Sequence, residues 1–177
     1  MVPILLLEGT FSADEILVAE KYDFWLLIEN HRQKHDLIKA PIKKALNIWL
    51  GIDTGLHRLG FDPREISSVY KDLMSSKKMK STSVLASHFA SADQPDNATI
   101  ALQLEIFDDA YAKIEIPPDH HVGQSIANSA AILSLPTSYR NWQRPGYMLY
   151  GNSPFSHENL HEGLQPVMHF VSAVTSI

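Results

Sequence analysis

Apolar residues in this chain fall in short unbroken runs, separated by longer segments where they recur every three or four positions. Ile4-Leu5-Leu6-Leu7 reads as a buried strand, and Ser12-Ala13-Asp14-Glu15 as a capping box opening a helix to about residue 22. Residues 24–28 form a second apolar run. A polar helix follows over about 31–40, stopped by Pro41. Residues 48–52 predict a third strand. After an Asp53-Thr54-Gly55 turn, Asp62-Pro63-Arg64-Glu65 supplies an N-cap, a proline at the first helical position and a reciprocal glutamate. That helix runs to about residue 77 with Ile66, Val69, Tyr70 and Leu73 on one stripe.

Residues 83–87 predict a fourth strand, and Asn97 caps a helix whose stripe is Ile100, Leu104, Phe107 and Tyr111. Residues 122–127 give a fifth strand, Ser129 opens a short helix, and residues 147–150 give a sixth strand. Residues 167–174 read as a further strand. Apolar strands alternating with helices imply parallel pairing through helical crossovers, in an open doubly wound sheet or in a barrel. No Gly-x-Gly-x-x-Gly turn is present, which argues against a dinucleotide site. Six βα units fall short of the eight that close a barrel.

The composition narrows the function. The chain has 177 residues, 45% hydrophobic and 20% charged, a balance that supports one domain with a packed core. With a net charge of −5 and no long basic run, nucleic acid is not an expected partner. The nearest basic run, Lys77-Lys78-Met79-Lys80, is assigned to a helix end, where cations suit the dipole. The absence of cysteine removes disulfides, thiolate metal sites and cysteine nucleophiles. No segment approaches the ~20 apolar residues of a membrane span. The N-terminal run lacks a basic lead and a cleavage site. A soluble, cytoplasmic chain with no membrane association is expected.

Several apolar runs end in polar groups: Asp53-Thr54-Gly55-Leu56-His57-Arg58-Leu59-Gly60, His88-Phe89-Ala90-Ser91-Ala92-Asp93, Ser125-Ile126-Ala127-Asn128-Ser129 and Arg144-Pro145-Gly146-Tyr147. In this order and spacing they resemble the alanine racemases, enzymes that use pyridoxal 5'-phosphate to interconvert L- and D-alanine. The resemblance runs from Pro3 to Met168. It implies an α/β fold that is an incomplete TIM-type (β/α)8 barrel, strands three to eight. Residues 1–155 would form the partial cofactor-binding barrel, and 156–177 a linker and the start of a C-terminal β domain. The family's head-to-tail homodimers and cell-wall D-alanine supply are implied with it.

The same resemblance implies roles for individual residues. Arg144 would face the pyridine nitrogen, and because a guanidinium keeps its proton it would leave that nitrogen unprotonated. Asn128, Ser129, Gly146 and Tyr147 would hold the phosphate through a hydroxyl and backbone amides. Arg58 would lie near the phenolic oxygen and bind the alanine carboxylate. His88 would support Arg144. Gly51 stands where many members carry a carbamylated lysine that orients the arginine; glycine cannot do this, and a bound anion or another side chain could substitute. Leu56 in place of methionine conserves volume.

The two proton carriers of the family would fall outside the chain. The Lys-Ala-Asn-Ala-Tyr-Gly motif would precede Met1, and the catalytic tyrosine would follow Ile177. Lys39-Ala40 continues as Pro41-Ile42-Lys43 at a helix end and is not that motif. The 177 residues alone are therefore expected to be inactive. Two further readings stay open, a non-catalytic binder of pyridoxal phosphate or phosphate, and a truncated gene product with exposed strand edges. A metal site is not expected, although His157 and His161 are four apart and His120-His121 are adjacent.

Overall fold

The computed structural model describes residues 2–156 and 163–176. The elements run β1 (Leu5–Leu6), α1 (Asp14–Tyr22), β2 (Trp25–Ile28), α2 (His31–Lys39), β3 (Leu46–Gly51), α3 (Ile66–Ser75) and β4 (Met79–Ala86). After these come α4 (Thr99–Ala112), β5 (His121–Asn128), α5 (Ser129–Ser134) and β6 (Trp142–Arg144), with 3-10 turns at Pro136–Ser138 and Tyr147–Tyr150. The strands form one sheet in the order β1-β2-β3-β4-β5-β6, and every neighbouring pair is parallel. A doubly wound sheet would reverse its strand order at a switch point. Here the order never reverses, so the sheet is a barrel sector, six strands of a half-barrel.

Alternation along the strands decides what each face meets. Leu26, Ile28, Ile48, Leu50 and Leu85 face outward and are fully buried under the helices. They meet Ile16, Leu37, Ile66, Val69, Tyr70, Leu73 and Phe107 in one continuous core. Burying a side chain of this size contributes ~1.5–3 kcal/mol, so this face dominates the stability. The inner face carries a smaller cluster of Leu27, Trp49, Val84 and Ala86, edged by Leu5 and Trp25. Trp142 closes it with ring centroids 5.6 Å from Trp25 and 5.7 Å from Trp49.

The helix starts differ in detail from the sequence expectation. Glu15 accepts from the Phe11 amide at 2.7 Å, so the capping box closes one residue early and Ala13 occupies the cap position. Asp62 makes a turn of its own, accepting from the Arg64 amide at 2.8 Å, and the regular helix begins at Ile66. Asn97 binds the Thr99 amide at 3.0 Å, while the stripe buries Ile100 and Phe107 and leaves Leu104 and Tyr111 partly covered. β4 begins at Met79, so Lys80 is a strand residue and pairs with Asp23 at 3.2 Å.

The sixth strand is displaced. It is Trp142–Arg144, held by the register Ser125↔Trp142 and Asn128↔Arg144, whereas Tyr147–Tyr150 curls into an exposed 3-10 turn. Pro145 has no amide to give to a ladder, so pairing stops at Arg144. No strand forms at 167–174, where Val167, Val171 and Val174 are exposed and the Val167 amide reaches only the Tyr150 carbonyl at 3.3 Å.

Candidate functional site

Parallel α/β sheets place ligands at the carboxyl ends of their strands, because the loops there are free of packing duty. At that end the structure has a cavity of about 570 Å³. Leu7, Leu27, Trp49 and Leu56 supply apolar wall, and Glu29, Asp53, Arg58, Ser87, His88 and Arg144 supply polar groups.

The loop after β3 brings Arg58 to this cavity. Asp53 organises the turn: its Oδ1 accepts from the amides of Gly55 (2.9 Å) and His57 (3.0 Å), and its Oδ2 meets His57 Nδ1 at 2.9 Å. Burial pushes the Asp53 pKa up, but the His57 and Gly55 amides and the His57 ring outweigh it and leave the carboxyl below its ordinary value. Gly60 closes the loop with φ 124°, and a Cβ there would stand 2.5 Å from the Asp53 nitrogen. Only glycine fits. Arg58 is exposed, and among the described residues it forms no ion pair.

Beneath the loop lies a buried polar network. The Thr54 and Ser87 hydroxyls are 2.8 Å apart, and Ser87 donates to the Ile52 carbonyl at 2.9 Å. Gln103 of α4 donates to Thr54 Oγ1 (3.1 Å) and to the His88 carbonyl (3.2 Å), and accepts from the Ala90 amide at 3.0 Å. Gln103 is 2% exposed, so these bonds lock the β3 and β4 ends to α4.

Arg144 enters from the last strand. Its guanidinium donates to Ser125 Oγ, to the Ser87 carbonyl and to His88 Nδ1 at 3.4 Å, with no carboxylate among these partners. Burial, then the Arg58 charge, brings the Arg144 pKa down to about 10, which still leaves it protonated at neutral pH. His88 is pushed down to about 4 by burial and by the Arg144 and Arg58 charges, so it is neutral at pH 7. A guanidinium can only donate, so His88 Nδ1 accepts and the ring proton sits on Nε2. Asn128 Nδ2, also a donor, lies 3.5 Å from that side and makes no hydrogen bond to it in this tautomer, while Asn128 Oδ1 caps α5 through the Ala131 amide at 3.1 Å.

Ser129 faces the Pro145-Gly146 turn. Its hydroxyl accepts from the amides of Gly146 (2.9 Å) and Met148 (3.2 Å) and keeps its own proton to donate. A Cβ on Gly146 would meet nothing within 4 Å, so this turn borders open space. Two cations without carboxylate ion-pair partners among the described residues, and a hydroxyl proton beside open space, form a donor set suited to an anion.

The structure thus brings Arg58, His88, Arg144 and Gly146 to one cavity, with Asn128 and Ser129 directly behind His88 and Gly146. The Tyr147 side chain stays exposed and outside the lining. Glu29 and Gln103 were missed by the sequence reasoning. Glu29 carried the same signal as the other polar tips, since it directly follows an apolar strand. Gln103 gave none, because a lone glutamine on a helix reads as solvent-facing. His120 Nδ1 lies 3.3 Å from the Tyr70 hydroxyl, and His157 and His161 lie outside the described residues. Among the described residues no group of three His, Cys, Asp or Glu side chains could hold a metal ion, and no helix is long and apolar enough to cross a membrane.

Residues 1–154 match the family described as alanine racemase, N-terminal domain. An alanine racemase of Pseudoalteromonas atlantica is 39% identical over 176 residues, 99% of this chain and 46% of that protein. The biosynthetic alanine racemase of Pseudomonas aeruginosa superposes with a TM-score of 0.84 at 37% identity, covering 94% of this chain and 45% of that one. A Bartonella henselae alanine racemase with covalently bound pyridoxal phosphate superposes with a TM-score of 0.72 at 25% identity, covering 89% and 44%. The chain spans about half the length of the curated relatives it matches.

Proposed function

The chain belongs to the alanine racemase family, and from that premise we propose that its cavity holds pyridoxal 5'-phosphate and serves the interconversion of L- and D-alanine. The observation that carries this reading is the pair of guanidiniums, Arg58 and Arg144, directed at one cavity with no carboxylate in an ion pair with either among the described residues. In this reading the Ser129 hydroxyl and the Gly146 and Tyr147 amides bind the phosphate, the Gly146 amide turning to it from Ser129 Oγ, and Asn128 caps the helix that Ser129 opens. Arg144 faces the ring nitrogen and donates a hydrogen bond to it, which a group that stays protonated does without giving up a proton. His88, neutral and accepting through Nδ1, fixes the Arg144 plane. Arg58 takes the phenolic oxygen and the alanine carboxylate.

Bound there, pyridoxal phosphate supplies an electron sink for the charge left at the alanine α-carbon. Proton removal and return need a carrier on each face, and no lysine or tyrosine lines the cavity among the described residues. The 177 residues by themselves are therefore expected to bind the cofactor without racemising alanine. In the family setting the role is D-alanine supply for the cell wall, in the cytoplasm, by a homodimer. Absorbance titration of the purified chain with pyridoxal phosphate tests the reading. Saturable binding that inorganic phosphate competes away is the expected result. No binding at millimolar cofactor would overturn it, and turnover of L-alanine would overturn the expected inactivity.

A further inference from the structure

The register Leu26↔Ile48, Leu27↔Trp49, Ile28↔Leu50 carries β2 and β3 one step further, so that Glu29 lies beside Gly51 at the strand ends. Gly51 has ordinary strand geometry, so its place there is a matter of space and not of backbone conformation. A Cβ on it would stand 2.8 Å from Glu29 Cβ and 3.2 Å from Glu29 Oε2. The glutamate side chain therefore fills the room that a side chain at 51 would take.

Three further observations bear on Glu29. It lines the same cavity as Arg58, and among the described residues its carboxylate accepts no hydrogen bond. Its carbonyl accepts from the Gly60 amide at 3.2 Å, which ties the Arg58 loop to the end of β2. Burial raises its pKa above the ordinary carboxylate value, the Arg58 charge pulls the other way, and Glu8 adds to the rise. Of the other two carboxylates of the lining, Asp53 is already engaged by its own loop, as described above, and Glu8 enters from the end of β1, on the far side of β2 from Gly51. Among the described residues Glu29 is thus a carboxyl without an ion-pair partner in the cavity lining, and Arg58 a cation without one in the same lining.

We propose that Glu29, seated over Gly51, is the positioning residue for Arg58: the two make no ion pair, and the carboxylate acts on the guanidinium by charge across the shared cavity, from the room that Gly51 leaves. The inference deepens the cofactor-site reading and rests on it for its functional meaning. Its test needs no cofactor. Carboxyl carbon NMR of glutamate-labelled protein follows Glu29 in the wild type, in Arg58→Gln and in Gly51→Ala. Removing the cation is expected to raise the Glu29 midpoint by on the order of half a pH unit, the size of a partly screened interaction over several ångströms. In the Gly51→Ala background the same Arg58→Gln change should move it less, because the added methyl displaces the carboxylate.

A second readout covers the possibility that Gly51→Ala does not fold. The Arg58 Nε–Hε signal should shift measurably in Glu29→Gln, a change of nearly equal size that removes only the charge. A Glu29 midpoint that ignores Arg58→Gln, or an Arg58 signal that ignores Glu29→Gln, would overturn the proposal. If coupling is absent while pyridoxal phosphate still binds, only this inference fails. If coupling is present while the cofactor does not bind, only the reading of the cavity fails.

Discussion

On β3, Ile48 and Leu50 face the helices and are fully buried, whereas Trp49 and Gly51, each one residue away, face the barrel interior. The outer face is one continuous apolar core in which the helix stripes meet the strands. The inner face is a thin cluster of three tryptophans and a few aliphatics, with a cavity at one end, and the buried Trp49 indole nitrogen has no hydrogen-bond partner among the described residues. The same strands thus do two jobs. One set of alternate positions stabilises the fold, and the other set is left free to carry the polar groups of the site.

Truncating each face is the largest test of that division. Phe107→Ala, in the outer core, should cost ~3–5 kcal/mol in urea unfolding, the usual range for a buried aromatic. Trp142→Ala, on the inner side and 40% exposed, should cost less than about half as much. Equal losses would erase the distinction between the faces.

The next effect in size concerns pH. His88 has a folded pKa of about 4 against an ordinary value of 6.5, so between these values the unfolded chain binds the proton and the folded chain does not. Stability should therefore fall as pH drops from 6.5 to 4, by up to about 3 kcal/mol from this group. Other groups titrate in the same range, so the check is the difference between wild type and His88→Gln. The variant should lose most of that slope, and identical slopes would show that His88 is not the buried neutral base described here.

A smaller effect belongs to the cofactor reading. Ser129→Ala removes one hydroxyl from the proposed phosphate cup and leaves two amides without their acceptor. Pyridoxal phosphate should bind about ten- to a hundredfold more weakly, in line with ~1.5–3 kcal/mol for a hydrogen bond to a charged group. Unfolding should shift much less than for Phe107→Ala. A change confined to stability, with affinity unaltered, would place Ser129 in the scaffold alone.

The outer face was legible in the sequence because burial imposes a period. Ile66, Val69, Tyr70 and Leu73 recur at helical spacing, and all four are buried as that spacing requires. The parallel sheet followed from strands alternating with helices; the incomplete barrel was implied only by the family resemblance, and the strand order bears it out. The sixth strand was misplaced because Tyr147-Met148-Leu149-Tyr150 is the more apolar run. The missing amide of Pro145 and the register with β5 assign pairing to Trp142–Arg144. On the inner face, single polar residues at strand ends have no period, so Arg58, His88, Ser129 and Arg144 stood out only through their resemblance to a family. Glu29 escaped notice because its meaning depends on Gly51, a neighbour across the sheet and not along the chain. Gln103 acts through a tertiary network that no local pattern announces.

The most direct test is a crystal structure of the chain grown with pyridoxal phosphate. The account predicts the ester in the cavity at the ends of β3 to β6, its phosphate against Ser129 Oγ and the Gly146 amide, and its ring nitrogen facing Arg144. A cofactor bound elsewhere, or one with its phosphate turned toward Glu29, would contradict it.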